Sequence, residues 1–272
     1  VTDTVTLTLR ASLEERVELE GVTADRLAVL DEGDIAALPI WVGRRAARLG
    51  DVFDVKGGRA ERIRVEGDLR NVDGLAAGMA GGSMLVEGAV GRRLGAGMTG
   101  GWVDVRGDAG DEAGLAMAGG ALRIIGNAGD RAGAAAAGAA KGMSGGELIV
   151  DGSVGSDAAA RARRGLVVVT GDVGVDAARV MIAGTLVAFG RIGAHPGRGS
   201  KRGSVVALGG IDVPESYQYA CTYQPTYIRL LLTYLRRRYG VSVEDQVLNG
   251  RYRRYCGDAG TVGKGEILEL VP

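Results

Sequence analysis

The chain has 272 residues, 46% of them hydrophobic, and a formal net charge of zero from 33 Lys and Arg against 33 Asp and Glu. Forty-eight are Gly, far above the usual ~7%, yet no G-X-Y period exists, so collagen and, given the apolar content, a disordered chain are both excluded. No apolar run of ~18 residues spans a membrane, the neutral charge disfavours nucleic acid as a partner, and one His with two Cys leaves little for a soft-metal site or a disulfide framework.

Residues 1–61 are mixed and acidic, with twelve Asp and Glu against eight Lys and Arg. The opening Val1-Thr2-Asp3 has no signal-peptide character, so a cytoplasmic protein is expected. Val5, Leu7 and Leu9 alternate with Thr, which predicts a strand. Ala24 to Leu30 and Asp34 to Leu38 read as short helical turns. The region is expected to be a small α/β lead-in that caps the first repeat.

Residues 62–213 repeat. A short apolar run ends in Gly eight times, at Gly67, Gly88, Gly107, Gly126, Gly152, Gly171, Gly190 and Gly209. The spacings are 21, 19, 19, 26, 19, 19 and 19, the longest reflecting an Ala/Gly insertion near Gly133 to Lys141. Six repeats carry a second Gly three residues later, and several close on a G-M-x-G-G signature, as in Gly97-Met98-Thr99-Gly100-Gly101. Four residues before each Gly stand Ile63, Met84, Val103, Leu122, Leu148, Val167, Leu186 and Val205. Two before stand Val65, Val86, Val105, Ile124, Val150, Val169, Ala188 and Ala207. This period-two pattern predicts a strand with one buried face. Nineteen residues are too few for a strand–helix–strand unit of ~30 residues but enough for one coil of a β-solenoid. Gly at the corners would supply positive φ or close backbone approach.

The other strand face changes along the repeats. Arg64, Leu85, Asp104 and Arg123 give way to Ile149, Val168, Val187 and Val206, with Phe189 and Leu208 beside them. An exposed apolar face of that length would be adhesive, so it is expected to be covered by the chain's own C-terminal helix or by a partner.

Residues 214–272 hold all eight Tyr, between Tyr217 and Tyr255, and both Cys. Ile228, Leu231, Leu232, Leu235 and Tyr239 follow helical spacing after Pro225, and Gly240 suits the C-terminal cap. Arg236, Arg237 and Arg238 complement the helix dipole. The helix is expected to pack on the repeats and close an open sheet edge.

Little chemistry is visible. Gly95-Ala96-Gly97-Met98-Thr99-Gly100 matches G-x-G-x-x-G but lies inside the repeat period rather than in a βαβ unit. His195 has no triad or metal partner at useful spacing. Cys221 and Cys256 read as buried or partly buried thiols. Asp68, Asp108, Asn127 and Asp172 each follow a repeat Gly and read as turn residues.

The G-x-x-G and G-M-x-G-G repeats resemble the right-handed parallel β-helix of the glutamate synthase C-terminal-domain superfamily. With the lead-in and the tail Tyr252-Arg253-Arg254-Tyr255-Cys256-Gly257-Asp258-Ala259-Gly260, the layout is similar to the C subunits of formylmethanofuran dehydrogenases and formyltransferase/hydrolase complexes. The resemblance implies a mainly β fold: a right-handed β-helix of about eight coils over 62–213, a lead-in over 1–61, and a C-terminal helix and tail over 214–272.

It also implies a non-catalytic member of a complex that moves formyl from formyl-tetrahydromethanopterin to a methanofuran-type cofactor and releases formate. Its partners would be the amidohydrolase-like A component, the B component and the formyltransferase D component of the same complex, with metals on the other chains. The 29 Arg against four Lys favour this bacterial complex over the CO2-reducing dehydrogenase of methanogens. A free-standing glutamate-synthase-related component is the reading from another class. Arg236, Arg237, Arg238, Arg251, Arg253 and Arg254 could hold the carboxylates of the cofactor's glutamate-rich tail. No catalytic residue and no metal ligand is expected on this chain.

Overall fold

The computed structural model describes residues 4–271; Val1-Thr2-Asp3, on which the signal-peptide reading rested, lies outside them. The lead-in contains β1 (Val5–Leu9), β2 (Val17–Glu18), α1 (Ala24–Leu27), α2 (Glu32–Ala36), β3 (Pro39–Val42), β4 (Arg45–Arg48), α3 (Leu49–Val52) and β5 (Phe53–Lys56). The repeats contain β6 (Arg62–Glu66), β7 (Val72–Asp73), β8 (Ser83–Glu87), β9 (Thr99–Val105), β10 (Gly119–Ile124), β11 (Glu147–Val150), β12 (Leu166–Val169), β13 (Thr185–Ala188) and β14 (Arg202–Ala207). The C-terminal part adds β15 (Gln218–Tyr223), α4 (Thr226–Tyr239), α5 (Asp245–Leu248), β16 (Tyr252–Gly257) and β17 (Lys264–Leu270).

Thirteen strands form one sheet, in the order β15-β16-β17-β14-β13-β12-β11-β10-β9-β8-β6-β1-β5. Every pairing from β1 and β6 through β14 and β17 is parallel; only the two ends are antiparallel. Four shorter strands form a second sheet, β4-β3-β2-β7.

The register follows the sequence repeat. Val150 stands opposite Val169, and Val169 opposite Ala188. The long interval keeps the phase, since Leu122 still faces Leu148, and its extra residues leave the ladder as a loop. Two residues after each repeat Gly, a second parallel ladder runs Leu69, Val90, Ala109, Ala128, Val154, Val173, Ile192 and Ile211. The inward columns fill the space behind the sheet and are buried along its length, together with Met79, Met98, Met117, Met143 and Met181.

Two kinds of Gly serve this stacking. In the G-x-x-G pairs the constraint is proximity: a Cβ on Gly174 would lie 2.6 Å from the carbonyl carbon of Gly155. The left-handed positions are separate, and many are not Gly. Glu112, Gly114 and Ala116 have φ of 66°, 64° and 55°. Their amides alternate in direction, bonding Asp130 O ahead, Leu94 O behind and Ala134 O ahead, each at 2.8 Å. Inter-repeat hydrogen bonds thus hold Glu and Ala in a conformation that ordinarily costs about 1–2 kcal/mol. The expected turn residues also work between repeats. Asp108 accepts from Asn127 N (2.7 Å), Asn127 from Ser153 N (2.9 Å), Ser153 from Asp172 N (3.0 Å) and Asp172 from Arg191 N (2.7 Å).

One expectation needs correction. The C-terminal helix does not close the sheet edge. β17 joins β14 in parallel, β16 and β15 follow antiparallel, and α4 lies instead on the sheet's outer face. The strands were hidden in sequence because Tyr and Arg on β15 and β16, and Glu266 and Glu269 on β17, break the apolar pattern.

Candidate functional site

The apolar outer face is covered by the chain's own helix. Ile149, Val168, Val187 and Val206 are buried against Ile228, Leu232, Leu235 and Tyr239 of α4. These four helix residues recur every three or four positions, so one stripe meets the sheet. Each fully buried side chain contributes about 1.5–3 kcal/mol relative to exposure. Gly240 ends the helix at φ 68° and donates to Arg236 O at 3.1 Å.

An aromatic and acidic cluster pins the end of α4. The Tyr239 hydroxyl donates to the Glu147 carboxylate, which also accepts from Tyr234 at 2.8 Å. Trp102 stacks on Tyr239 with ring centroids 5.6 Å apart, and the Arg238 guanidinium lies 4.5 Å from the Trp102 ring. Burial, and then the neighbouring Glu147 carboxylate, push the Tyr239 hydroxyl far above its ordinary range. Burial likewise pushes Tyr217 and Tyr252 up to about 12. These hydroxyls stay protonated near neutrality and serve as hydrogen-bond donors: Tyr217 to Gly197 O at 3.0 Å, Tyr252 to Val247 O at 3.0 Å. Buried Asp258 behaves oppositely. Burial opposes its charge, but the amides of Gly199 (2.8 Å) and Gly260 (2.9 Å) and the Ser216 hydroxyl hold its carboxyl below the ordinary range.

The six arginines singled out in the sequence do not converge. Arg236 donates to Val243 O and pairs with Asp245 at 3.2 Å. Arg238 is engaged with Trp102. Arg251 donates to Thr222 O at 3.4 Å. Arg253 and Arg254 are adjacent on β16 and therefore face opposite sides of the sheet; they pair with Glu269 at 3.5 Å and Glu266 at 2.8 Å. Arg237 and Arg238 are both exposed with no side-chain hydrogen bond or ion pair among the described residues, and of the two only Arg237 also lacks an aromatic partner.

His195 sits at a left-handed corner, φ 59°, with Nδ1 4.0 Å from Asp176. Among the described residues no group of three or more His, Cys, Asp and Glu is placed to hold a metal. Cys256 is partly buried as expected, but Cys221 is exposed, because β15 is the outermost strand of the sheet. The sequence reading missed the outward side of α4, where Tyr227, Leu230 and Tyr234 are exposed. Their i, i+3, i+7 spacing was available, but the stronger inward stripe masked it. Nothing in the sequence singled out Glu147 as the anchor of the helix.

These features define a class first: a repeat protein built on a long, largely parallel sheet, half of whose outer face carries its own helix. No protein-family model matches the chain. The crystal structure of the formyltransferase/hydrolase complex (FhcABCD) from Methylorubrum extorquens, with methylofuran, contains a chain that superposes with a TM-score of 0.88. The two are 38% identical, over 98% of this chain and 100% of that one. The C subunit of the Fhc complex from the same organism is 39% identical over 89 residues, so the match spans 33% of this chain and 34% of that curated relative. The chain belongs to the family formed by the C subunits of formyltransferase/hydrolase complexes.

Proposed function

We propose that this chain is the C subunit of a formyltransferase/hydrolase complex and acts there as a scaffold. The complex moves formyl from formyl-tetrahydromethanopterin to a methanofuran-type cofactor and releases formate. The observation that carries the reading is the end-to-end match, 38% identical over 98% of the chain, to a chain of a complex crystallised with methylofuran. In this reading the amidohydrolase-like A component and the formyltransferase D component perform the chemistry, the B component completes the assembly, and the complex is cytoplasmic.

The architecture supports the role. In this reading residues 62–213 form a right-handed parallel β-helix of about eight coils, with the long sheet, the ladder from Leu69 to Ile211 and the left-handed arcs as its sides. Residues 1–61 cap one end, and 214–272 supply the helix and the closing strands. Such ladders make a stiff surface able to hold two enzymes at fixed separation. The exposed Tyr227, Leu230 and Tyr234 on α4, residue types frequent at interface centres, suit a partner surface.

Reconstitution tests this. The A, B and D components are combined with and without the chain, and formyl transfer and formate release are measured separately and coupled. The reading expects each half-reaction to survive omission and coupled flux to fall at least tenfold. Loss of a half-reaction that added chain restores would place chemistry here. The cofactor-tail role of the six arginines is tested in the same assay, where Arg237→Ala, the substitution that breaks no internal pair, would raise the KM for the cofactor.

A further inference from the structure

Two basic runs, Arg161-Ala162-Arg163-Arg164-Gly165 and Ser200-Lys201-Arg202-Gly203, lie far apart in sequence. The fold brings them together. Leu166 of β12 pairs with Thr185 of β13, and Thr185 with Ser204 of β14, so Arg164 and Arg202, each two residues upstream, stand level two strands apart. Arg202 is directly opposite Lys264 of β17. Arg163, Arg164, Lys201 and Arg202 are exposed and line a groove of about 350 Å³ whose apolar surface comes from Ile182, Ala183 and Val262.

None of these four cations, nor Lys264, has an ion-pair partner among the described residues. The acids in the neighbouring row are already engaged: Glu147 by Tyr234 and Tyr239, Glu266 by Ser204, Tyr227 and Arg254. In a chain of zero net charge, this corner concentrates positive charge that the protein leaves without an internal partner.

We infer that this groove binds an extended acidic peptide segment of a partner protein. Two strands of the sheet span roughly 10 Å, and an extended chain of polyproline type, with three residues per turn at ~3.1 Å each, brings residues three apart onto one side at about that distance. Glutamates three apart would therefore meet Arg164 and then Arg202, while small apolar residues between them lie on Ile182, Ala183 and Val262. Arginine forks take carboxylates in bidentate geometry. The groove offers no aromatic platform on which nucleic-acid bases would stack.

The test uses the full chain and a fluorescein-labelled twelve-residue peptide with Glu at every third position and Ala or Val between, read by fluorescence anisotropy. Saturable binding is expected, lost with Gln in place of Glu and weakened more than tenfold at 1 M salt, where screening acts within a few ångström. Arg164→Glu with Arg202→Glu should weaken it at least tenfold without changing the melting temperature. Arg237→Glu, at the far end of α4, should leave it unchanged. If the double variant misfolds, Arg163→Gln with Lys201→Gln serves, with an expected several-fold loss. Absence of saturable binding, equal binding by the folded variants, or displacement of the peptide by a single-stranded oligonucleotide at lower concentration would overturn the assignment.

Discussion

Val169 has no solvent exposure and lies in the inward column between Val150 and Ala188. Val169→Asp would bury a carboxylate without a partner, and we expect a loss of several kcal/mol in chemical denaturation; unchanged stability would refute the inward assignment. Gly174→Ala forces a Cβ to within 2.6 Å of the Gly155 carbonyl carbon and should cost about 1–3 kcal/mol as overpacking does. Ala116, left-handed at φ 55°, gives the contrasting case. Ala116→Gly removes strain but adds unfolded-state entropy, so a gain of up to about 1 kcal/mol is expected.

The inward columns were legible because each paired strand shows the same burial pattern at every sequence repeat. The left-handed arcs were not, because Glu112, Ala116 and Asp176 reach positive φ through hydrogen bonds to other repeats, which leave no mark on local composition. The cross-repeat bonding of Asp108, Asn127 and Asp172 was half legible, as turn chemistry without its direction, and that of Ser153 was not read.

At the scale of elements, α4 is held by its apolar stripe and by Glu147. Leu232→Ala should cost about 2–5 kcal/mol and loosen the helix from the sheet, read as faster amide exchange over residues 226–239. Tyr239→Phe removes a bond to a carboxylate and should cost about 1.5–3 kcal/mol. The loop carrying Asp258 has a pH signature. Its folded pKa lies below the unfolded one, so its contribution is present above the unfolded value near ~4 and is lost as pH falls through the folded value. Asp258→Asn should therefore lower stability at neutral pH and flatten the acid limb below about pH 4, measured by denaturation at stepped pH.

Helix α4 could be read from Ile228 to Tyr239 because a buried stripe recurs at helical spacing. β15, β16 and β17 escaped because their outer faces carry Tyr, Arg and Glu, and a strand that is half solvated by such side chains resembles a polar tail. The six arginines were grouped by proximity in sequence, whereas helix end and strand alternation send them in different directions.

At the scale of the molecule, thirteen strands run through one sheet from the lead-in to the last strand, so the three parts share a continuous hydrogen-bonded core. Fold family was legible because the G-x-x-G pairs and the closing Gly-Gly of G-M-x-G-G, as at Gly100-Gly101, mark backbone packed too closely for side chains, while the first Gly of that signature, as at Gly97, marks a left-handed turn. Partner choice was less so, since interface residues on a repeat surface follow the partner rather than the period. The central claim is that this chain works inside a formate-releasing assembly. The most direct test is gentle affinity purification of the chain from its native host, with mass spectrometry of the proteins that accompany it. The account predicts recovery with an amidohydrolase-like protein and a formyltransferase, free of molybdopterin and iron–sulfur clusters. Recovery as a stable monomer, or with a metal–pterin and iron–sulfur protein, would contradict it.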